Sequence, residues 1–197
     1  LGIAVGLPGF FLNLAIGLYL LWFFTECVRD SANGGTRAPE AFATTGFGDM
    51  WSQEQHIIGC YLILLGPVGF YHAFTQKTDA IFWLLLAYGA LFFPMGLLAC
   101  IMFDSVRGLN PILLVCSIFS TFFQYIGLVL LIVAIILAFS ALPDLETNDT
   151  EQPQPPKIST LILGGIFFGI AIYFALVVAH LIGRFYWRNQ EKLNWEV

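Results

Sequence analysis

A chain of 197 residues that is 58% hydrophobic and 11% charged carries more apolar surface than a globule of that size can hide from water. Its composition excludes an ordinary water-soluble domain and points to lipid as the solvent. A formal net charge of −5, with 8 Lys and Arg residues spread along the chain, also excludes a phosphate-neutralising surface and hence a nucleic-acid partner.

Five stretches approach or exceed the about 20 apolar residues that cross a bilayer: 2–24, 57–74, 80–103, 111–142 and 158–186. Each is continuously apolar, whereas barrel strands would alternate at every second residue. The expected fold is therefore all-α: a polytopic integral membrane helical bundle of five transmembrane helices, with 1–197 forming a single transmembrane domain. The fourth stretch is too long for one straight span, and a break near Gln124 and Tyr125 would raise the count to six. The first is long for the apolar part of a signal peptide and has no small-residue cleavage site after it.

After the first stretch comes a Gly- and Pro-containing loop, 28–56. Within it, Thr44-Thr45-Gly46-Phe47-Gly48-Asp49 resembles the carbonyl-lined filter of potassium channels. Gly34, Gly35 and Pro39 would interrupt the pore helix that must precede a filter, so the run reads instead as a turn, with Gly46 and Gly48 at its bends. The carboxylates Glu26, Asp30, Glu40, Asp49 and Glu54, joined by Asp104, then read as a solvated loop face in preference to a cation site. Gly66-Pro67 and Pro94 predict kinks in the second and third stretches. Residues 143–157 form an acidic, Pro-rich linker, and 184–197 an interfacial tail.

Arg29, Arg37, Arg107, Arg184, Arg188 and Lys192 fall on one side of this layout, Lys77 and Lys157 on the other. The basic side is expected to be cytoplasmic. That places 28–56 and the C-terminus inside, the N-terminus and 143–157 outside.

Polar residues within the spans are few. Asn13, Gln124 and Tyr125 are the intramembrane candidates, either for hydrogen bonds between helices or for contact with a substrate. His56, His72 and His180 are weak candidates for haem or pigment, with His72 expected on the opposite side from the other two. No motif of a hydrolase, metalloprotease or nucleotide-binding enzyme occurs, so neither an enzyme nor a bound metal or cofactor is expected. Cys27, Cys60, Cys100 and Cys116 have no paired spacing and read as packing residues. Gly2-x-x-x-Gly6 and Gly165-x-x-x-Gly169 permit close helix approach. In the tail, Arg184, Trp187, Arg188, Lys192 and Trp195, with Phe185 and Tyr186, suit the lipid interface.

The run Phe92 to Ile118, the ending Leu181 to Trp195 and the loop "GGTRAPE" resemble a family of uncharacterised bacterial multi-span membrane proteins carrying a domain of unknown function. That family is distantly similar in layout to five-span Yip1-type proteins. The resemblance implies a fold and a membrane location, the bacterial inner membrane, and no reaction. The expected role is a structural or accessory subunit whose partners are the bilayer and other membrane proteins or further copies of itself. The alternatives are a transporter or channel component for a small or hydrophobic substrate, with Asn13 and Gln124 on its path, and a pigment- or haem-binding subunit.

Overall fold

The computed structural model describes residues 2–35, 47–140, 158–193 and 195, with side chains for 9–35, 51–52, 54–138, 164–193 and 195. Among the described residues are seven α-helices and no strand: α1 Gly2–Ala32, α2 Phe47–Leu64, α3 Gly66–Thr75, α4 Ala80–Phe103, α5 Pro111–Ser120, α6 Phe122–Ser140 and α7 Ile158–Leu193. A 3-10 turn, Val106–Leu109, links α4 to α5. Three helices contain windows long and apolar enough to cross a membrane: Gly9–Ala32, Ala80–Phe103 and Gly164–Leu193. The count rises to five if the pairs α2/α3 and α5/α6 each make one bent span.

Helix α4 is the hub. It is apolar on every face, the pattern of a helix surrounded by other helices or lipid, and it touches all six others. Half of its spanning window is buried, against 17% for α1 and 11% for α7. Its start is set by Asp79, whose side chain accepts from the Phe82 N–H at 3.2 Å and from the Tyr71 hydroxyl at 2.6 Å. Its end is set by Asp104 in the left-handed region at φ 45°. Around its last turns the core gathers Val28, Ile57, Cys60, Leu114, Tyr125 and Ile182 from five other helices.

Two close approaches lock this core. At Gly183 of α7, a Cβ would lie 2.4 Å from the Val28 carbonyl oxygen of α1. At Gly108, it would lie 2.8 Å from the Ala99 backbone of α4. Away from this core, α1, α6 and α7 expose Phe10, Leu12, Leu130, Ile136, Ile166 and Phe168.

The helices depart from the expected stretches at their ends and breaks. Helix α1 continues past 24 to Ala32 because its last turns bury Val28 and Ala32 and pair Glu26 with Arg29. With α2 beginning at Phe47, much of 28–56 is helix rather than loop. Gly48 lies in the first turn of α2, not at a bend, while Thr44, Thr45 and Gly46 lie outside the described residues. So does the linker 143–157.

The bend of 52° between α2 and α3 falls at Gly66-Pro67, as expected. The fourth stretch breaks at Thr121, three residues before Gln124, with a bend of 101°. There the Ser120 and Thr121 hydroxyls both donate to the Ser117 carbonyl, at 2.9 and 2.8 Å, offering the backbone an alternative to a continued helix.

Gly165 and Gly169 meet nothing within 4 Å and serve no contact inside this chain. A Gly-to-Ala change in a helix ordinarily gains up to about 1 kcal/mol, whereas overpacking costs about 1–3 kcal/mol. Gly183→Ala is therefore expected to destabilise the purified protein and Gly165→Ala to leave it unchanged or firmer, as read by thermal unfolding in detergent.

The Tyr71 hydroxyl, and after it the Phe82 N–H, hold the Asp79 carboxyl below its ordinary value. A group with a lowered folded pKa contributes stability above its unfolded value and loses it on acidification. Stability attributable to this cap is expected to fall as pH drops below about 4, and Asp79→Asn to flatten that portion of the pH profile.

Candidate functional site

The polar groups of the described residues concentrate at the end of the bundle where α4 stops. Because α4 ends abruptly at Asp104, its last carbonyls lack helical donors. Arg29 reaches them from α1: its Nη2 donates to Asp104 Oδ1 at 2.6 Å and to the Ile101 carbonyl at 3.4 Å, while Nη1 donates to Glu26 Oε1 at 2.8 Å. A guanidinium suits this fork of acceptors and complements the negative end of the helix. Asp104 is 59% exposed, so the pair contributes geometry more than energy, about 0–1 kcal/mol.

Nearby, Ser31 Oγ and His180 Nδ1 lie 2.7 Å apart between α1 and α7. The Arg184 guanidinium sits 4.8 Å from the Trp187 ring centroid, and that indole lies over Gly34, whose φ is +85°.

Deeper in the bundle, Pro94 interrupts the ladder of α4, since it has no N–H to offer the Ala90 carbonyl. Tyr125, fully buried on α6, places its hydroxyl against the adjoining rung. The hydroxyl donates to the Leu91 carbonyl, and its oxygen lies 3.3 Å from the Met95 N–H that donates to it. This candidate from the sequence is thus an interhelical hydrogen-bonding residue.

Asn13 and Gln124 are both exposed, and their helices α1 and α6 do not touch. They share no path within this chain. The histidines are separated too. His56 sits on α2 and His180 on α7, helices without contact, and His72 is exposed on α3 with its ring 5.5 Å from that of Phe82. Among the described residues no group of three or more His, Cys, Asp or Glu is placed to hold a metal ion. Cys60 and Cys100 are buried against each other, while Cys116 is exposed; all four cysteines are free.

The tail divides into two faces. Trp187, Arg188 and Lys192 are exposed and Arg184 partly so, but Phe185, Tyr186, Asn189 and Leu193 are buried at helical spacing. Trp195 packs inward: it lies between Phe103 and Tyr186, both 5.5 Å away, and its Nε1 donates to Ser117 Oγ at 2.9 Å. Glu54 likewise departs from the expected solvated face, because α2 carries it inward to 2% exposure.

Two concavities accompany these groups. One is a cleft of about 340 Å³ between α4, α6 and α7, apolar throughout, lined by Phe93, Pro94, Ile132, Ile136, Phe174 and Val178 among others. The other is a groove of about 390 Å³ where α1 meets α2, with Glu54 in its wall. No family model, curated protein or solved structure matches the chain.

Tyr125→Phe removes the hydroxyl beside Pro94 and leaves the Leu91 carbonyl without that donor. The expected cost is about 1 kcal/mol, read as a lower unfolding temperature in detergent, with Gln124→Leu on the exposed side as the neutral control.

Proposed function

We propose that this chain is a non-catalytic integral membrane protein of five spans that acts as an accessory subunit, packing through α1 against a helix of another membrane protein. The observation that carries the reading is Asn13. Its carboxamide is exposed on a helix face that it shares with the exposed Phe10 and Ile16. It lies roughly 20 Å from Glu26 along the helix axis, inside a hydrocarbon layer about 30 Å thick. An amide facing lipid has no hydrogen-bond partner there, and a neighbouring helix supplies one. Gly9 and Gly17, one turn to either side, have open space above them and let a partner backbone come close.

The positive-inside count supports a cytoplasmic C-terminus and an external N-terminus in a bacterial inner membrane. The grouping of Arg29, Arg107, Arg184, Arg188 and Lys192 around the Asp104 end of the bundle agrees with that arrangement. The layout resemblance to Yip1-type proteins is compatible with the same topology. A second reading, a component that handles a hydrophobic substrate, is favoured by the apolar cleft beside Pro94; its test is whether filling the cleft with Ile136→Trp abolishes binding of a fluorescent fatty acid.

The accessory reading predicts that a cysteine at position 13 cross-links to a partner polypeptide in native membranes, and that Asn13→Leu reduces co-purification of that partner about tenfold, a loss of roughly 1.4 kcal/mol. A cross-link only to a second copy of this chain would redefine the partner as itself. No cross-link, together with a stable monomer in mild detergent, would refute the reading.

A further inference from the structure

The groove between α1 and α2 combines features that neither the packing of the bundle nor the Asn13 face accounts for. Its α1 wall is Phe11, Leu14, Ala15, Leu18 and Tyr19, and its α2 wall is Trp51 and Glu54. At 100° per residue, Phe11, Ala15 and Leu18 share one face of α1, and Asn13 lies roughly 160° around from Phe11. The groove is therefore independent of the surface assigned above to a partner helix.

Glu54 is 2% exposed, and its Oε1 has no hydrogen-bond partner. Among the described residues no cation is paired with it: Arg29 is engaged by Glu26 and Asp104, and Arg184 by Trp187. A carboxylate buried without a partner is costly, and a ligand carrying positive charge removes that cost. Indole and phenol rings supply the second half of such recognition, because their negative faces attract alkylammonium groups. Trp51 and Tyr19 stand in the wall with Glu54, and the Trp22 ring, buried one turn further along the same face of α1, lies 5.8 Å from that of Tyr19. The remaining wall, Phe11, Leu14, Ala15 and Leu18, offers a purely apolar track.

The geometry points to a binding site for a cationic amphiphile, with an alkylammonium head between Glu54, Trp51 and Tyr19 and an apolar tail along Phe11 to Leu18. A neutral amphiphile would gain only the track, and an anionic one would meet the carboxylate. The same chemistry is carried by the amine headgroup of a membrane lipid and by a free hydrophobic amine.

The test is titration of the purified full chain with octyltrimethylammonium, octanol and octanoate, followed by tryptophan fluorescence. Binding is expected for the cation, about tenfold weaker for octanol and absent for octanoate. Glu54→Gln, which keeps the shape of the side chain and removes its ability to carry charge, should weaken the cation about tenfold and leave octanol unchanged. Trp51→Ala, at a residue 45% exposed, should weaken the cation without unfolding the protein; its binding is followed by calorimetry.

Equal affinity of Glu54→Gln and wild type for octyltrimethylammonium, or equal affinity of the wild type for octanol, would overturn the proposal. Repeating the titration in nanodiscs separates the sources. Weaker binding in phosphatidylethanolamine than in phosphatidylglycerol supports the site with a lipid headgroup as its occupant, and equal binding supports it with a free amine.

Discussion

A backbone group left unpaired where a helix is interrupted must find its partner elsewhere in the protein, and that constraint organises this fold. Helix α4 runs through the middle of the molecule with a proline in it, and a proline leaves a carbonyl without its donor. Tyr125 puts the only polar atom of its side chain at the adjoining rung, against Leu91 and Met95. At the end of the same helix Arg29 performs the equivalent service for Ile101 and for the terminating Asp104. Where α5 gives way to α6, the Ser120 and Thr121 hydroxyls turn back on Ser117. At Pro94 and at Asp104 a polar side chain from another helix stands beside the interruption.

These repairs determine which helices sit where. Tyr125 draws α6 against α4, Arg29 draws α1 against the end of α4, and Ser31 with His180 draws α7 against α1. Glycines then close the distance: Gly108 lies on the Ala99 backbone and Gly183 on that of Val28. The consolidated end is the one with the Arg29 and Ser31 contacts, while α1, α6 and α7 carry mainly exposed apolar surface away from it. The close glycines and the interhelical hydrogen bonds thus gather at the same end of the bundle.

How much of this was readable beforehand depended on whether the signal was local. The limits of α4 coincide with the apolar run 80–103 because a charged residue stands at each end. The bend at Gly66-Pro67 was likewise readable, since proline acts on its own backbone. The break at Thr121 has no proline or glycine, and the more polar Gln124-Tyr125 drew attention away from it. What marks it is a pair of hydroxyls folding onto one carbonyl, which an apolar sequence window does not register. Trp195 looked like an interfacial anchor because its neighbours are basic, yet its seat between Phe103 and Tyr186 depends on where α4 ends. Glu54 was hidden by its surroundings: among Asp49, Gln53 and Gln55 it reads as solvated, and only the inward course of α2 buries it.

Helix α1 shows how one element can hold unlike surfaces. Its C-terminal third is committed to α4 and α7 through Arg29, Ser31 and the contact at Gly183. Its N-terminal part is not, and there the residues diverge by face. Gly9, Asn13 and Gly17 fall on one side with space above the glycines; Phe11, Ala15 and Leu18 fall on the other and meet α2 in a groove. An amide and a carboxylate answer to different chemistry, the first to a hydrogen-bonding helix and the second to a positive charge. A single occupant cannot serve both, because the two faces are roughly 160° apart on a helix about 10 Å wide. The arrangement of α1 thus presents two separate surfaces on its N-terminal part, while α4 and α7 hold its C-terminal third.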